Sequence, residues 1–223
     1  WDTDYRQLNG GSFETSFTTY LGSNIRIANR SVNRAMSVSG TPPKDFLPVI
    51  LPIDRGALGI FQGESFGRGD AAIMCPGSEA FYRTPDDIDF ITTSIYLPRL
   101  QQAFEQLFDN ELDTHIKDTR KLDITPGSVE YLSAISQQLL STSQSLAHPL
   151  VHEELESTLI STVALALSSF SDSKTDSLAK RNHIKYLSQT RDYIDANLKA
   201  PLTLEILSRE TGVSQRTVRY AFN

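Results

Sequence analysis

The chain has 223 residues, of which 39% are hydrophobic and 22% charged, with one cysteine and a formal net charge of −6. These values fit a globular protein of one large or two small domains, and the single Cys75 excludes an internal disulfide framework and fits a reducing compartment. No run approaches the roughly 18 apolar residues of a transmembrane helix, and WDTDYRQLNG resembles neither a signal nor a transit peptide, so a cytoplasmic chain trimmed at its start is expected.

Residues 1–97 carry the signature of β structure. FETSFTTYL and NIRIANRSVNRAMSV hold short alternating runs, and FLPVILPI is an apolar run interrupted and bounded by proline. From Gly56 to Leu97, strand-sized pieces are separated by Gly, Pro and Asp turns, a density that favours a barrel or sandwich over alternating α/β units. No GxGxxG follows a strand, which leaves a dinucleotide-binding fold without support. Arg68-Gly69-Asp70 reads as a strand turn, and Asp86, Asp87 and Asp89 as a solvated loop cluster. Arg26, Arg30 and Arg34 recur at four-residue spacing, which on one continuous strand puts all three on the same face. An outward face makes a solvated arginine row. An inward face makes a cationic lining suited to a carboxylate or phosphate, because guanidinium presents a fixed fork of donors.

The period changes at Pro98, and residues 98–170 read as a helical segment. Leu100, Phe104 and Leu107 form one stripe, followed by a loop from about Asn110 to Thr125. Pro126 opens a second helix with Val129, Leu132, Ile135 and Leu139 on its apolar face. A longer helix over His148–Phe170 carries Val151, Leu155, Leu159, Val163, Leu167 and Phe170, and Ile160, Ala164 and Ala166 widen that face. The width allows packing on the barrel, between the helices or across a homodimer interface through residues 126–170, and self-association is the expectation. His148 and His152 stand four apart, as a metal pair would, but with only Glu153 and Glu154 beside them they read as surface or packing histidines.

Residues 171–180, polar and without periodicity, read as an interdomain linker, and 181–223 as a small helical unit. Ile184, Leu187, Arg191, Ile194 and Leu198 outline a helix that ends before Pro201. Then Thr203 has N-cap chemistry, Gly212 suits a helix end at positive φ, and Ser214 caps a further helix with Val218 and Phe222 at i, i+4. Two helices joined by such a turn form a helix-turn-helix, whose second helix can enter a major groove. From Arg181 onward there are seven Lys/Arg against four Asp/Glu, a net of +3, whereas residues 1–180 carry fourteen against twenty-three, a net of −9. That reversal suits a polyanionic partner, since phosphate contacts release counterions.

In YIDANLKAPLTLEILSRETGVSQRTVRYAFN, the residues Tyr193-Ile194, Asn197-Leu198, Pro201 to Leu204, Leu207, Gly212-Val213-Ser214, Arg216-Thr217, Val218 and Phe222 resemble the AraC/XylS family of bacterial transcription regulators. The upstream barrel resembles, more loosely, that family's cupin-like effector domain through Gly69-Asp70-Ala71 and Cys75-Pro76-Gly77. The resemblance implies an α+β chain. A cupin-like effector-binding barrel (1–97) would precede a helical dimerisation segment (98–170), and a linker would lead to the first helix-turn-helix of a two-unit DNA-binding domain. The residues here reach into that first unit's recognition helix. Gln215, Arg216, Arg219 and Tyr220 would contact double-stranded DNA, with RNA polymerase a further partner of an activator. Ser208 stands where the family usually has Ala, and Tyr220 where it often has Arg, which puts one DNA contact in question.

Two further points bear on the barrel. Arg26-xxx-Arg30 and Arg30-xxx-Arg34 are similar to the RxxxR half of PilZ domains, which grip cyclic di-GMP, although Arg34 stands where the companion motif requires Gly. The effector classes implied are therefore a nucleotide second messenger such as cyclic di-GMP, or an organic acid. Enzymatic cupins hold a metal through histidines, and the first histidine here is His115, beyond the barrel, so the expectation is no metal and no enzyme. The alternative readings are a cupin-type enzyme and a sensor without a direct DNA role.

Overall fold

The structure, a computed structural model, describes residues 2–53, 58–112, 116–142, 149–168, 189–190, 192–194, 196–197, 202–212 and 215. Period-two alternation, cut by Gly, Pro and Asp turns, produces ten strands before the first helix among the described residues. Strands β1 (Asp2–Gln7), β4 (Met36–Thr41), β9 (Ala80–Arg83), β6 (Gly59–Phe61) and β7 (Glu64–Phe66) form one antiparallel sheet in that order. A second antiparallel sheet runs β11 (Arg120–Lys121), β8 (Ala72–Ile73), β5 (Phe46–Pro52), β10 (Ile88–Tyr96), β3 (Ile25–Val32) and β2 (Thr15–Leu21). Helices α1 (Leu97–Phe108), α2 (Pro126–Thr142) and α3 (Pro149–Ser168) follow, so the fold is α+β with two sheets and a helical layer. Two compact units divide the chain, Trp1–Phe170 and Ser171–Asn223.

The central strands of the six-stranded sheet are buried on both faces, whereas β2 at its edge is exposed except at Tyr20. Register keeps parity across it: Phe90 pairs with Arg30 and Pro52, and Ile91 with Asn29 and Leu51. Ile25, Ile27, Leu47, Val49, Leu51, Ile91 and Ile95 therefore point one way, into a core shared with Leu100, Phe104, Leu132, Leu139, Leu159, Val163 and Leu167 of the helices. Ile50, Ala72, Ile88 and Phe90 point the other way, into a second core with Met36, Phe61, Phe66 and Tyr82 of the five-stranded sheet. A buried Thr93–Ser136 hydroxyl pair at 3.1 Å joins β10 to α2.

Four sequence expectations change. The wide face of the long helix is used within the chain, where Ile160, Ala164 and Ala166 are buried in the helical core, so its width requires no second subunit. Leu107 and Val151 fall on the exposed sides of their helices. The segment expected to be a loop contains β11, which pairs with β8; Arg120 lies opposite Ile73. Asp86 is more than solvated: its Oδ1 accepts from Asn9 Nδ2 at 2.6 Å and from Ala35 N at 2.8 Å, tying the chain after β1 to the β3–β4 turn. The tripeptide at 68–70 is a turn, with Gly69 at φ +89° and Asp70 Oδ2 accepting from Gly67 N.

The second unit contributes α4 (Leu204–Thr211). Thr203 caps it by accepting from Ile206 N at 3.2 Å, and Gly212 ends it in the left-handed region at φ 69°. Leu207 is buried against Tyr193, Ile194, Leu202 and Leu204. Of the expected preceding helix, residues 189–190, 192–194 and 196 are helical. The linker at 171–180 and the expected second helix, apart from helical Gln215, lie outside the described residues.

Two stability outcomes follow from close contacts. A Cβ at Gly22 would collide with the Glu156 carboxylate and the Tyr20 ring. Gly22→Ala should cost about 1–3 kcal/mol, lowering Tm by roughly 2–4 °C per kcal/mol in a thermal melt. The hydrogen bond from Asn9 and then that from Ala35 hold the Asp86 carboxyl below its ordinary value. Its stabilisation is present above the unfolded-state pKa and lost as pH falls through the lower folded one. The urea midpoints of wild type and Asp86→Asn should accordingly differ at pH 7 and converge as pH falls below the ordinary carboxylate range.

Candidate effector site

The inward parity of both sheets leaves a cavity between them of about 370 Å³, within the usual size of small-molecule sites. From the six-stranded sheet, the alternate residues Phe17, Thr19 and Leu21 of β2 face Arg30, Ala28 and Arg26 of β3, their register partners. Phe90, Thr92 and Ser94 of β10 and Phe46 and Ile50 of β5 continue the wall. From the other sheet come Thr3 and Tyr5 of β1, Val38 and Gly40 of β4, and Ala80 and Tyr82 of β9. The lining is mainly apolar, with hydroxyl-bearing side chains at Thr3, Tyr5, Thr19, Tyr82, Thr92 and Ser94. Phe17 and Leu21, on the edge strand, are 57% and 76% exposed and mark the rim.

Arg26 and Arg30 both line this cavity. The Arg26 guanidinium carbon lies 4.4 Å from the centre of the Phe46 ring, and that of Arg30 lies 4.9 Å from Tyr5 and 5.2 Å from Phe17. Such cation–π contacts contribute about 0.5–2 kcal/mol. Among the described residues neither arginine forms an ion pair. Arg34 departs from the expected row. β3 ends at Val32, and the bend after it breaks the alternation, so Arg34 Nε donates to Ser12 O at 3.3 Å beside Gly11, away from the cavity. Two of the three arginines share the site and the third is a loop contact.

Tyr82 lines the cavity, and its hydroxyl is buried without a hydrogen-bond partner among the described residues. Burial pushes its pKa well up, so it remains a neutral phenol. Tyr5, Phe17 and Phe46 were not legible as site residues. The available signal was Phe17 and Leu21 alternating with threonine in an otherwise polar strand.

On the opposite face of β2, Tyr20 donates its hydroxyl to Glu156 Oε1 of α3 at 2.7 Å, and Asn24 N reaches Oε2 at 3.4 Å. Burial first, and then Glu156 as acceptor and negative neighbour, hold the Tyr20 hydroxyl far above the ordinary phenol range. His152, one turn earlier on α3, meets the Tyr20 ring edge-on at 5.8 Å, and its Nε2 is buried without a partner among the described residues. His148 and His115 lie outside the described residues. Among the described residues no three His, Cys, Asp or Glu side chains converge as a metal site would require.

Of the four residues expected at DNA, Gln215 is helical and exposed; Arg216, Arg219 and Tyr220 lie outside the described residues. No described helix is long and apolar enough to cross a membrane.

No protein-family model matches the chain. Among solved structures, that of the AraC-like transcriptional activator CuxR overlays 99% of this chain and 79% of its own, with TM-score 0.58 and 17% identity. The chain has an AraC-like fold. The family resembled by the residues from Tyr193 to Phe222 is thus the one whose architecture the chain shares. Apo ToxT K231A from Vibrio cholerae strain SCE256 overlays 96% of this chain and 75% of its own at TM-score 0.45 and 9% identity. ToxT from Vibrio cholerae O395 covers 95% and 75% at TM-score 0.38 and 8% identity.

Proposed function

We propose that the chain is an effector-responsive, sequence-specific DNA-binding transcription regulator of the AraC type, with no catalytic role. The observation that carries this is an AraC-like fold enclosing a cavity of about 370 Å³ lined by two arginines that lack a carboxylate partner among the described residues. The effector is a small anionic compound with an apolar or aromatic body. Arg26 and Arg30 take its charge, and the aromatic and aliphatic walls take the rest. Cyclic di-GMP and organic acids are the two classes that meet this description. Binding shifts the population of arrangements in which the basic C-terminal unit engages double-stranded DNA. Gln215, Arg216, Arg219 and Tyr220 carry that contact, and arginine at guanine supplies roughly 1–3 kcal/mol of discrimination per bidentate pair. A homodimer through the outer side of residues 126–170, where Tyr131, Leu150 and Leu165 are exposed, and contact with RNA polymerase complete the scheme, in a cytoplasmic setting.

Calorimetric titration with cyclic di-GMP and with a panel of aliphatic and aromatic carboxylates tests the cavity. The compound that binds should lose about 10- to 100-fold in affinity in Arg30→Ala, roughly 1.5–3 kcal/mol for a charge-assisted hydrogen bond. Equal affinity in wild type and variant would remove Arg30 from the site. Gel-shift of the full-length protein on DNA upstream of its own gene tests the output. Arg219→Ala should keep weak, salt-sensitive binding and lose preference for that sequence. Unchanged operator preference would sink the base-contact role.

A further inference from the structure

β2 is the outer strand of its sheet and, among the described residues, is hydrogen-bonded on one side only, to β3. It is one of two edge strands that line the cavity, β1 being the other, and its parity gives it two duties. Phe17, Thr19 and Leu21 face the cavity, while Tyr20 points to the helical layer. Tyr20 is also the one residue of β2 that is buried; the other six are exposed. Its hydroxyl meets Glu156 at 2.7 Å, and that carboxylate, only 7% exposed, is held a second time by Asn24 N in the β2–β3 turn. Gly22 in the same turn lets the carboxylate approach that closely. A short hydrogen bond to a buried carboxylate is not readily exchanged for water, so the groups it joins move together.

We propose that the Tyr20–Glu156 hydrogen bond couples the cavity to helix α3, so that filling the cavity displaces β2 and α3 follows. This rests on the cavity being the effector site, and it assigns the route by which occupancy leaves that site. α3 is the last described element of its unit before the residues of the second unit begin. Tyr20 and Glu156 are positioning residues here, since neither lines the cavity.

A test that uses no effector and no DNA keeps this separable from the function above. Ala28 is the register partner of Thr19 on the cavity side, so Ala28→Phe places a ring in the cavity against β2. Amide hydrogen exchange across residues 149–168 should change by about fivefold or more in Ala28→Phe, and stay within about twofold when Tyr20→Phe is added. Glu156→Gln, which keeps an acceptor, serves as the second variant should Tyr20→Phe melt out, and it should reduce the response in part. Tyr20→Phe alone reports any loss of stability, which a purely structural hydrogen bond would also show; the loss of the response to Ala28→Phe is what that role would not produce. The same α3 response with and without the Tyr20 hydroxyl, or no response to Ala28→Phe, would overturn the proposal. Failure to find an effector or an operator would leave this result standing and bear on the function alone.

Discussion

The central strands of the six-stranded sheet have no free face, and this constraint fixes almost everything else about the first unit. Because side chains alternate, each strand must satisfy two environments at once: a helical core through one parity and an inter-sheet space through the other. On β3 the first parity is Ile25 and Ile27, and the second is Arg26, Ala28 and Arg30. On β10 it is Ile91, Thr93 and Ile95 against Phe90, Thr92 and Ser94. A single-residue slip of β3 would bury two guanidinium groups under the helices, so register and cavity chemistry are specified together.

Where the two environments meet, the layers are held by a few buried polar contacts. Thr93 meets Ser136 between β10 and α2, and Tyr20 of β2 donates to Glu156 of α3. Apolar packing tolerates small shifts of a helix along a sheet, whereas a buried hydrogen-bonded pair does not, since its separation leaves groups unsatisfied in a low dielectric. These contacts therefore fix where the helical layer sits on the sheet.

Much of this was legible from residue order. Proline at 126, the stripe of Leu100 and Phe104 without its expected third member Leu107, the stripe from Val129 to Leu139, Thr203 as a cap and Gly212 at positive φ are local features that the structure has. What escaped was non-local or depended on where a strand stops. Arg34 follows the spacing of Arg26 and Arg30, yet spacing carries no information about the bend after Val32. The width of the α3 face said that it would be buried without saying by what. Tyr20 and Glu156 lie 136 positions apart, and no pattern along the chain pairs them. The one hint was Glu156 itself, an acid one turn from Ile160 on a helix face otherwise meant for burial. The DNA-facing side chains rest on resemblance, because residues beyond Gln215 lie outside those described.

The stacking of Arg26 on Phe46, and of Arg30 on Tyr5 and Phe17, has a consequence for recognition. A flexible arginine must surrender side-chain rotamer freedom when it grips an anion, and that loss subtracts from affinity. Here each guanidinium already lies against at least one aromatic ring, so part of that freedom is lost on folding and not on capture. An incoming anion would meet donors already partly oriented. Selectivity would then depend on whether its charge matches two guanidinium groups on one strand, four residues apart.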